Sequence, residues 1–138
     1  MNLRTRLAIS DFTSALHGTP FAACAAAAPW ALTASIELHV RAALALLGAR
    51  VWHVRSDVAI HSSATVEAGA QLKGPAVVGA GCFISATALL RGGVWLCEGC
   101  TVGPGCELKS SWLGTGSTLA HMNFVGDSVI GRDVNIEA

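Results

Sequence analysis

The sequence contains no tyrosine, and aromatic residues make up only 6% of it. It also has no net charge, because nine Lys+Arg balance nine Asp+Glu. That balance argues against general nucleic-acid affinity, which rests on neutralising many phosphates. It argues equally against electrostatic adhesion to an anionic membrane. The longest stretch free of Asp, Glu, Lys and Arg, 12–36, is interrupted by Pro20 and Pro29 and includes His17, so it does not read as a membrane span. Arg4 and Arg6 precede an apolar run, but Asp11 ends that run too early for a secretory signal. A soluble, cytoplasmic protein is expected. The five cysteines are odd in number and lack the spacing of a secreted disulfide framework.

What is present is small and apolar. Hydrophobic residues reach 52%, dominated by Ala, Val and Leu, with 15 Gly. Such a composition suits a thin, regular interior. Residues 1–50 read as a helical segment or cap. PWALTASIELHVRAALALLGAR opens on Pro29, a residue tolerated in a first helical turn. Leu32, Ile36, Val40, Leu44 and Leu47 recur at helical spacing and predict one apolar stripe. Glu37 and Arg41, four apart, are expected to pair, and Gly48 to stop the helix. His17 and His39 read as surface residues of this segment.

From residue 51 the period changes to six. Val54, Ile60, Val66, Leu72, Val78, Ile84, Leu90, Leu96, Val102 and Leu108 are all aliphatic. Two positions earlier stand Val58, Ala64, Ala70, Ala76, Cys82, Ala88, Val94, Cys100 and Cys106, all small and apolar. Six fits neither the helical repeat nor strand alternation. It fits a coil with flat sides of six residues, each sending two residues inward, that buries a continuous core by stacking. This predicts a parallel β-helix over residues 51–138, of about five coils, with the N-terminal segment covering the open edge of the first coil. In this register Cys82, Cys100 and Cys106 fill the small inward slot, and Cys97 points outward. CEGC, Cys97 to Cys100, therefore cannot chelate one ion. GTGS, Gly114 to Ser117, is no phosphate loop, since no Gly-Lys-Ser/Thr follows. Near residue 110 the six-residue register slips, and His121 lies just beyond the slip.

Arg55, Lys73, Arg91 and Lys109 are each 18 residues apart, and each follows an inward aliphatic. Three six-residue sides make one coil of 18, so these cations are expected to stack along a single edge. Strands about 4.8 Å apart would bring them into mutual repulsion. The column is either structural, solvated or meeting carboxylates of a neighbouring subunit, or it is an anion site for phosphate or a phosphorylated sugar. His121 is either a residue that orders the slipped turn or a general base, a role its near-neutral pKa suits. His53 and His61 read as plain surface residues.

The hexapeptide pattern resembles the left-handed parallel β-helix acyltransferases, and the left hand is implied by that resemblance alone. More narrowly, LRGGVWLCEGCTVGPGCELKSSWLGTGSTLAHMNFVGDSVIGRDVNIEA resembles the acetyltransferase domain of the bifunctional N-acetylglucosamine-1-phosphate uridyltransferase/glucosamine-1-phosphate acetyltransferase family. HMNFVGDSVIG also resembles the β-helix domains of other sugar-phosphate nucleotidyltransferase-like proteins. The resemblance implies acyl transfer from acetyl-CoA, as co-substrate, to an amino-sugar phosphate such as glucosamine-1-phosphate. It implies that Arg91 and Lys109 hold the phosphate, joined by Lys73 from the basic column. His121 is the implied base, Asn135 a sugar contact and Ala138 a neighbour of the acetyl group. Asn123 is a further candidate sugar contact.

The resemblance also implies a homotrimer with the active site between subunits, which would give Trp95 and Trp112, read as outward and apolar, the cover they need. The γ-carbonic anhydrases share the fold and bind zinc through histidines, two of them five apart. No HxxxxH occurs here, so no metal is expected. The sequence departs from the acetyltransferase pattern at Phe124, where the family has tyrosine. No Gly-rich pyrophosphorylase signature is present, and no uridyltransferase activity is expected. The family's further coils carry another phosphate-binding lysine and most coenzyme A contacts, so the sequence reads as a shortened relative or a fragment. The alternative to an acyltransferase is a truncated or inactive β-helix module that trimerises or binds a sugar phosphate or nucleotide sugar.

Overall fold

The computed structural model describes residues 7–137; Arg4, Arg6 and Ala138 lie outside them. The N-terminal segment contains short 3-10 turns at Ile9–Asp11 and Ala22–Ala26, then helices α1 (Pro29–Ala34) and α2 (Ile36–Leu44). The single helix expected from Pro29 is broken at Ser35. Its hydroxyl donates to the Ala31 carbonyl at 2.9 Å, the local competition that makes serine a poor residue inside a helix. The predicted stripe is nonetheless the packed face: Leu32, Ile36 and Val40 are fully buried, and Leu44 and Leu47 pack partly against the core. Arg41 pairs with Asp57 at 2.9 Å, not with Glu37 as the helical spacing suggested. α2 ends at Leu44, before Gly48.

The rest of the chain is mainly β, a solenoid of about four turns. Its first side is built from β2 (Val58–His61), β5 (Ala76–Val78), the later parts of β7 (Leu89–Leu96) and β9 (Glu107–Leu113), and β12 (Val129–Ile130). The second side is β3 (Thr65–Val66), β6 (Phe83–Ile84), β8 (Thr101–Val102), β10 (Thr118–Leu119) and β13 (Asn135–Ile136). The third is β4 (Gln71–Leu72), the earlier parts of β7 and β9, and β11 (Phe124–Gly126). Neighbours on each side pair in parallel, for example Ile84↔Val102 and Leu90↔Leu108.

The count falls short of the five coils expected because residues 51–57 form none. β1 (Trp52–Arg55) folds back on β2 as an antiparallel hairpin, with Arg55 opposite Val58. Val54, the first residue of the aliphatic series, is accordingly 51% exposed. From Val78 to Leu108 the aliphatic series is fully buried. So are the small-slot residues Cys82, Ala88, Val94, Cys100 and Cys106, each worth about one side chain's transfer free energy, with little room for a larger group. The slip also occurs. Arg91 pairs with Lys109 at an offset of 18, while Val94 pairs with Ser111 at 17, so the chain sheds one residue between them. In the shorter coils the small slot turns polar. Ser111 and Ser117 donate to the carbonyls of Lys109 (2.8 Å) and Gly131 (2.7 Å), satisfying backbone that the shortened coils leave inside.

Ala59, Val77, Trp95, Trp112 and Val129 are register partners pointing outward from the first side. This apolar ladder is covered from within the chain. α2 packs across β5, β7 and β9, and α1 packs on β9. The Phe21 ring lies 5.0 Å from Trp95 and 6.3 Å from Trp112, edge-on to both. Trp112 is wholly buried and Trp95 is 7% exposed. The N-terminal segment thus lies along a flank instead of closing the first coil. The tryptophans that motivated a neighbouring subunit need none. Cys97, expected outward, is likewise buried under this cover. Removal from water pushes its thiol up to about 11.

Candidate functional site

The basic column stands on the third side, at the edge where each coil turns toward the first. Arg91 and Lys109 are direct register partners. Lys73 lies one coil before Arg91, its N–H donating to the Leu90 carbonyl at 2.8 Å. Arg55 does not join them, because the β1–β2 hairpin carries it away from the parallel stack. The column is therefore three cations, not four.

Two of the three are already paired with carboxylates of the same chain. Glu107, two residues before Lys109 and on the same face, accepts from Arg91 Nε at 2.5 Å. Asp127 accepts from Lys109 Nζ with both oxygens at 3.0 Å. Asp127 is held over Lys109 by backbone, its N–H donating to the Lys109 carbonyl at 2.9 Å from a left-handed turn (φ 50°). Both pairs are partly exposed and each is worth at most about 1 kcal/mol, so their main effect is to relieve repulsion within the column. Lys73 enters no ion pair among the described residues. Arg91 engages its carboxylate through Nε, which leaves the terminal nitrogens of its guanidinium for a second anion. These carboxylates carried no signal in the six-residue pattern, since Glu107 sits two positions before a cation and Asp127 in a turn.

His121 sits in the turn between β10 and β11, exposed to solvent. Residue 122, which follows it, is left-handed (φ 51°), and its N–H donates to the Pro104 carbonyl at 2.9 Å, so the turn is pinned to the preceding coil. The imidazole is thus presented at the entry of β11. Lys109 lies beside Gly126 at the exit of that strand. Within one chain, then, His121 and the Arg91–Lys109 pair occupy opposite ends of one flat side. Asn135 is exposed on β13, and its Nδ2 donates to Glu137 Oε1 at 3.0 Å. It sits one coil beyond Thr118, near the His121 corner.

Asn123, the further candidate sugar contact, is bound to backbone. It occupies the small inward slot that Cys106 fills one coil earlier, and its Nδ2 donates to the Ile136 carbonyl at 3.1 Å. Its amide serves the interior of the last coil. Phe124 stands in its place on the outside, 62% exposed. Among the described residues no group of three or more His, Cys, Asp or Glu is placed to hold a metal ion, and no helix is long and apolar enough to cross a membrane.

No protein-family model matches the chain. Curated relatives do. The bifunctional protein GlmU of Alkalilimnicola ehrlichii is 41% identical over 85 residues, covering 62% of this chain and 18% of that protein. The coils are a hexapeptide-repeat β-solenoid similar to part of GlmU. The GlmU of Desulfitobacterium hafniense is 41% identical over 78 residues, 54% of this chain and 17% of that protein. The GlmU of Shouchella clausii is 26% identical over 133 residues, 72% of this chain and 29% of that protein. The chain thus spans under a third of the length of the GlmU proteins it matches.

Proposed function

We propose that this chain is an acyltransferase-like sugar-phosphate module, transferring an acetyl group from acetyl-CoA to the amine of an amino-sugar phosphate such as glucosamine-1-phosphate. The observation that carries the reading is the register pairing of Arg91 with Lys109, on a GlmU-like solenoid that presents an exposed histidine on the same side. Arg91, Lys109 and Lys73 would grip the phosphate, with Arg91 supplying a planar fork and the lysines point charges. His121 would accept the amine proton as the sugar nitrogen bonds to the acyl carbon and the thioester C–S bond breaks. Asn135 would contact the sugar, and Ala138 would lie near the acetyl group. Because His121 and the cations stand at opposite ends of one side, the site would be completed by a second copy, as the resemblance to a homotrimeric family implies. The module would work in the cytoplasm.

The test is release of free coenzyme A thiol from acetyl-CoA and glucosamine-1-phosphate, paired with calorimetric titration of the sugar phosphate. Lys109→Ala should abolish sugar-phosphate binding. His121→Ala should leave binding intact and slow transfer by about 10²–10⁴-fold. Binding unchanged in Lys109→Ala would refute the anion strip. A second reading, a module that binds the sugar phosphate without chemistry, is favoured by Phe124 at the position of the family tyrosine and by the carboxylates already on Arg91 and Lys109. Tight binding with no thiol release would select it.

A further inference from the structure

The first coil is open at its N-terminal end. Its inward residues Val58, Ile60, Val66, Ala70 and Leu72 are only partly buried. Their counterparts one coil on, Ala76, Val78, Ile84, Ala88 and Leu90, are at most 1% exposed. With Gly74 and the turn between β1 and β2, the first-coil residues line a cavity of about 540 Å3. That volume falls in the range of small-molecule sites.

One wall of the cavity is β1, and the register of its hairpin decides what that wall presents. Direct partners in an antiparallel pair project from the same face. Trp52 and His61 do so on the outside, with ring centroids 5.0 Å apart. Val54 stands opposite Ala59 of the outward ladder and also points out. Alternation turns the other two residues toward the core side, His53 opposite Ile60 and Arg55 opposite Val58. Both of these line the cavity. The hairpin that removes Arg55 from the basic column thus sets it one strand spacing, about 4.8 Å, from Val58 at the mouth of an apolar well.

The charge at this mouth is one-sided. Arg55 enters no ion pair among the described residues. The carboxylate that lines the cavity, Asp57, is bound to Arg41 at 2.9 Å. Glu67, next to Val66, turns to the following coil, where its Oε2 accepts from the Ala86 N–H at 2.9 Å. An apolar well with an uncommitted guanidinium on its rim suits a hydrocarbon tail with a planar anionic head, which the guanidinium fork engages bidentately. A second copy seated mouth to mouth would instead set two Arg55 side chains against each other across a two-fold axis.

We infer that the open end of the solenoid binds a medium-chain alkyl monocarboxylate, its tail among Ile60, Val66 and Leu72 and its head on Arg55, beside His53. The site lies at the opposite end of the coil stack from β13 and does not depend on the acyl-transfer reading. It is tested by calorimetric titration of the full chain with octanoate below its micelle concentration, while methyl NMR reports where the tail sits. Saturable binding is expected, with shifts at the Ile60, Val66 and Leu72 methyls and none at Leu108. Affinity should fall about fourfold for each methylene removed, through hexanoate to butanoate, as burial of the chain requires. Arg55→Gln should weaken binding at least about tenfold and Arg91→Gln should not change it. Neutral 1-octanol and cationic octylamine should each bind at least about tenfold more weakly than octanoate. Affinity independent of chain length, affinity unchanged in Arg55→Gln, equal binding of 1-octanol or octylamine, or no binding at millimolar octanoate would each overturn the inference. Self-association strengthened by Arg55→Gln, without octanoate binding, would assign the mouth to a second copy and overturn it equally. A melting curve of Arg55→Gln establishes that the variant folds, since Arg55 is exposed.

Discussion

Replacing Phe21 with alanine tests whether the N-terminal segment is an integral layer of this protein. Phe21 is 2% exposed and bridges Trp95 and Trp112 on the apolar ladder. Truncating a buried phenylalanine costs about 3–5 kcal/mol, and loss of two edge-on aromatic contacts falls within or slightly above that range. For a chain of this size, 1 kcal/mol moves the midpoint by roughly 2–6 °C, so Phe21→Ala should melt at least about 6 °C below the parent. The indoles of Trp95 and Trp112 would meet water, so tryptophan emission should shift to the red before the main transition. Phe12, 68% exposed, is the control: Phe12→Ala should change the midpoint by no more than a degree or two. Both melts should be run at widely different protein concentrations. A loss below 1 kcal/mol for Phe21→Ala, or a midpoint that rises steeply with concentration in the parent, would mean that a neighbouring subunit covers the ladder, and the reasoning would fail.

Gly93 adopts φ 89°, and a Cβ there would lie 3.0 Å from the Glu37 nitrogen and from Ile36 Cγ2. Gly93→Ala should therefore cost about 2 kcal/mol or more, through left-handed strain and displacement of α2, read as a lowered melting midpoint. Asp127→Asn removes the carboxylate that occupies Lys109 Nζ; stability should change by less than about 1 kcal/mol while phosphate affinity measured by calorimetry rises several-fold. Cys97 should resist iodoacetamide at pH 8 far better than a free thiol, because the reactive form is the thiolate and burial pushes its pKa to about 11. The same shift fixes a sign. The folded state holds the proton after the unfolded state has lost it, so the contribution of Cys97 to stability is full below about pH 9 and declines as pH rises toward 11. Denaturant midpoints across that window should fall less in Cys97→Ala than in the parent.

The interior of the solenoid was legible because its rule is local. Each inward position repeats at six, so Ile84, Leu90 and Cys100 declare themselves without knowledge of any partner. The first coil was not legible for the same reason. Val54 and Arg55 continue the period, yet periodicity has no term for the hand of a connection, and the β1–β2 hairpin turns them out of the stack. The exterior of the first side was half legible. Ala59, Val77, Trp95, Trp112 and Val129 form an apolar series that sequence displays at spacings of 18, then 17. What covers it could not be read, because a ring such as Phe21 and a neighbouring subunit satisfy the same apolar demand. The site divides similarly. The pairing of Arg91 with Lys109 follows from the coil length, whereas Glu107 and Asp127 reach those cations by side-chain direction and a left-handed turn.

These two gaps bear on each other. If the chain satisfies its own apolar ladder, the hydrophobic drive toward self-association is reduced on that side, and any trimer must close through the second and third sides. Those sides are more polar, but they meet at a corner where residue 122 and Phe124 are exposed beside His121. Association there would bury the residues that present the imidazole and carry a second chain's cations toward it. With Trp95 and Trp112 shielded, the His121 corner remains an exposed apolar surface, with residue 122 at 73% and Phe124 at 62%. Assembly and completion of the acyl-transfer site become one event on this reading. A charge placed at that corner, Phe124→Glu, should abolish both together while leaving the melting midpoint of the monomer within a few degrees of the parent, since Phe124 is 62% exposed. Loss of assembly with transfer retained would separate the two and defeat the argument.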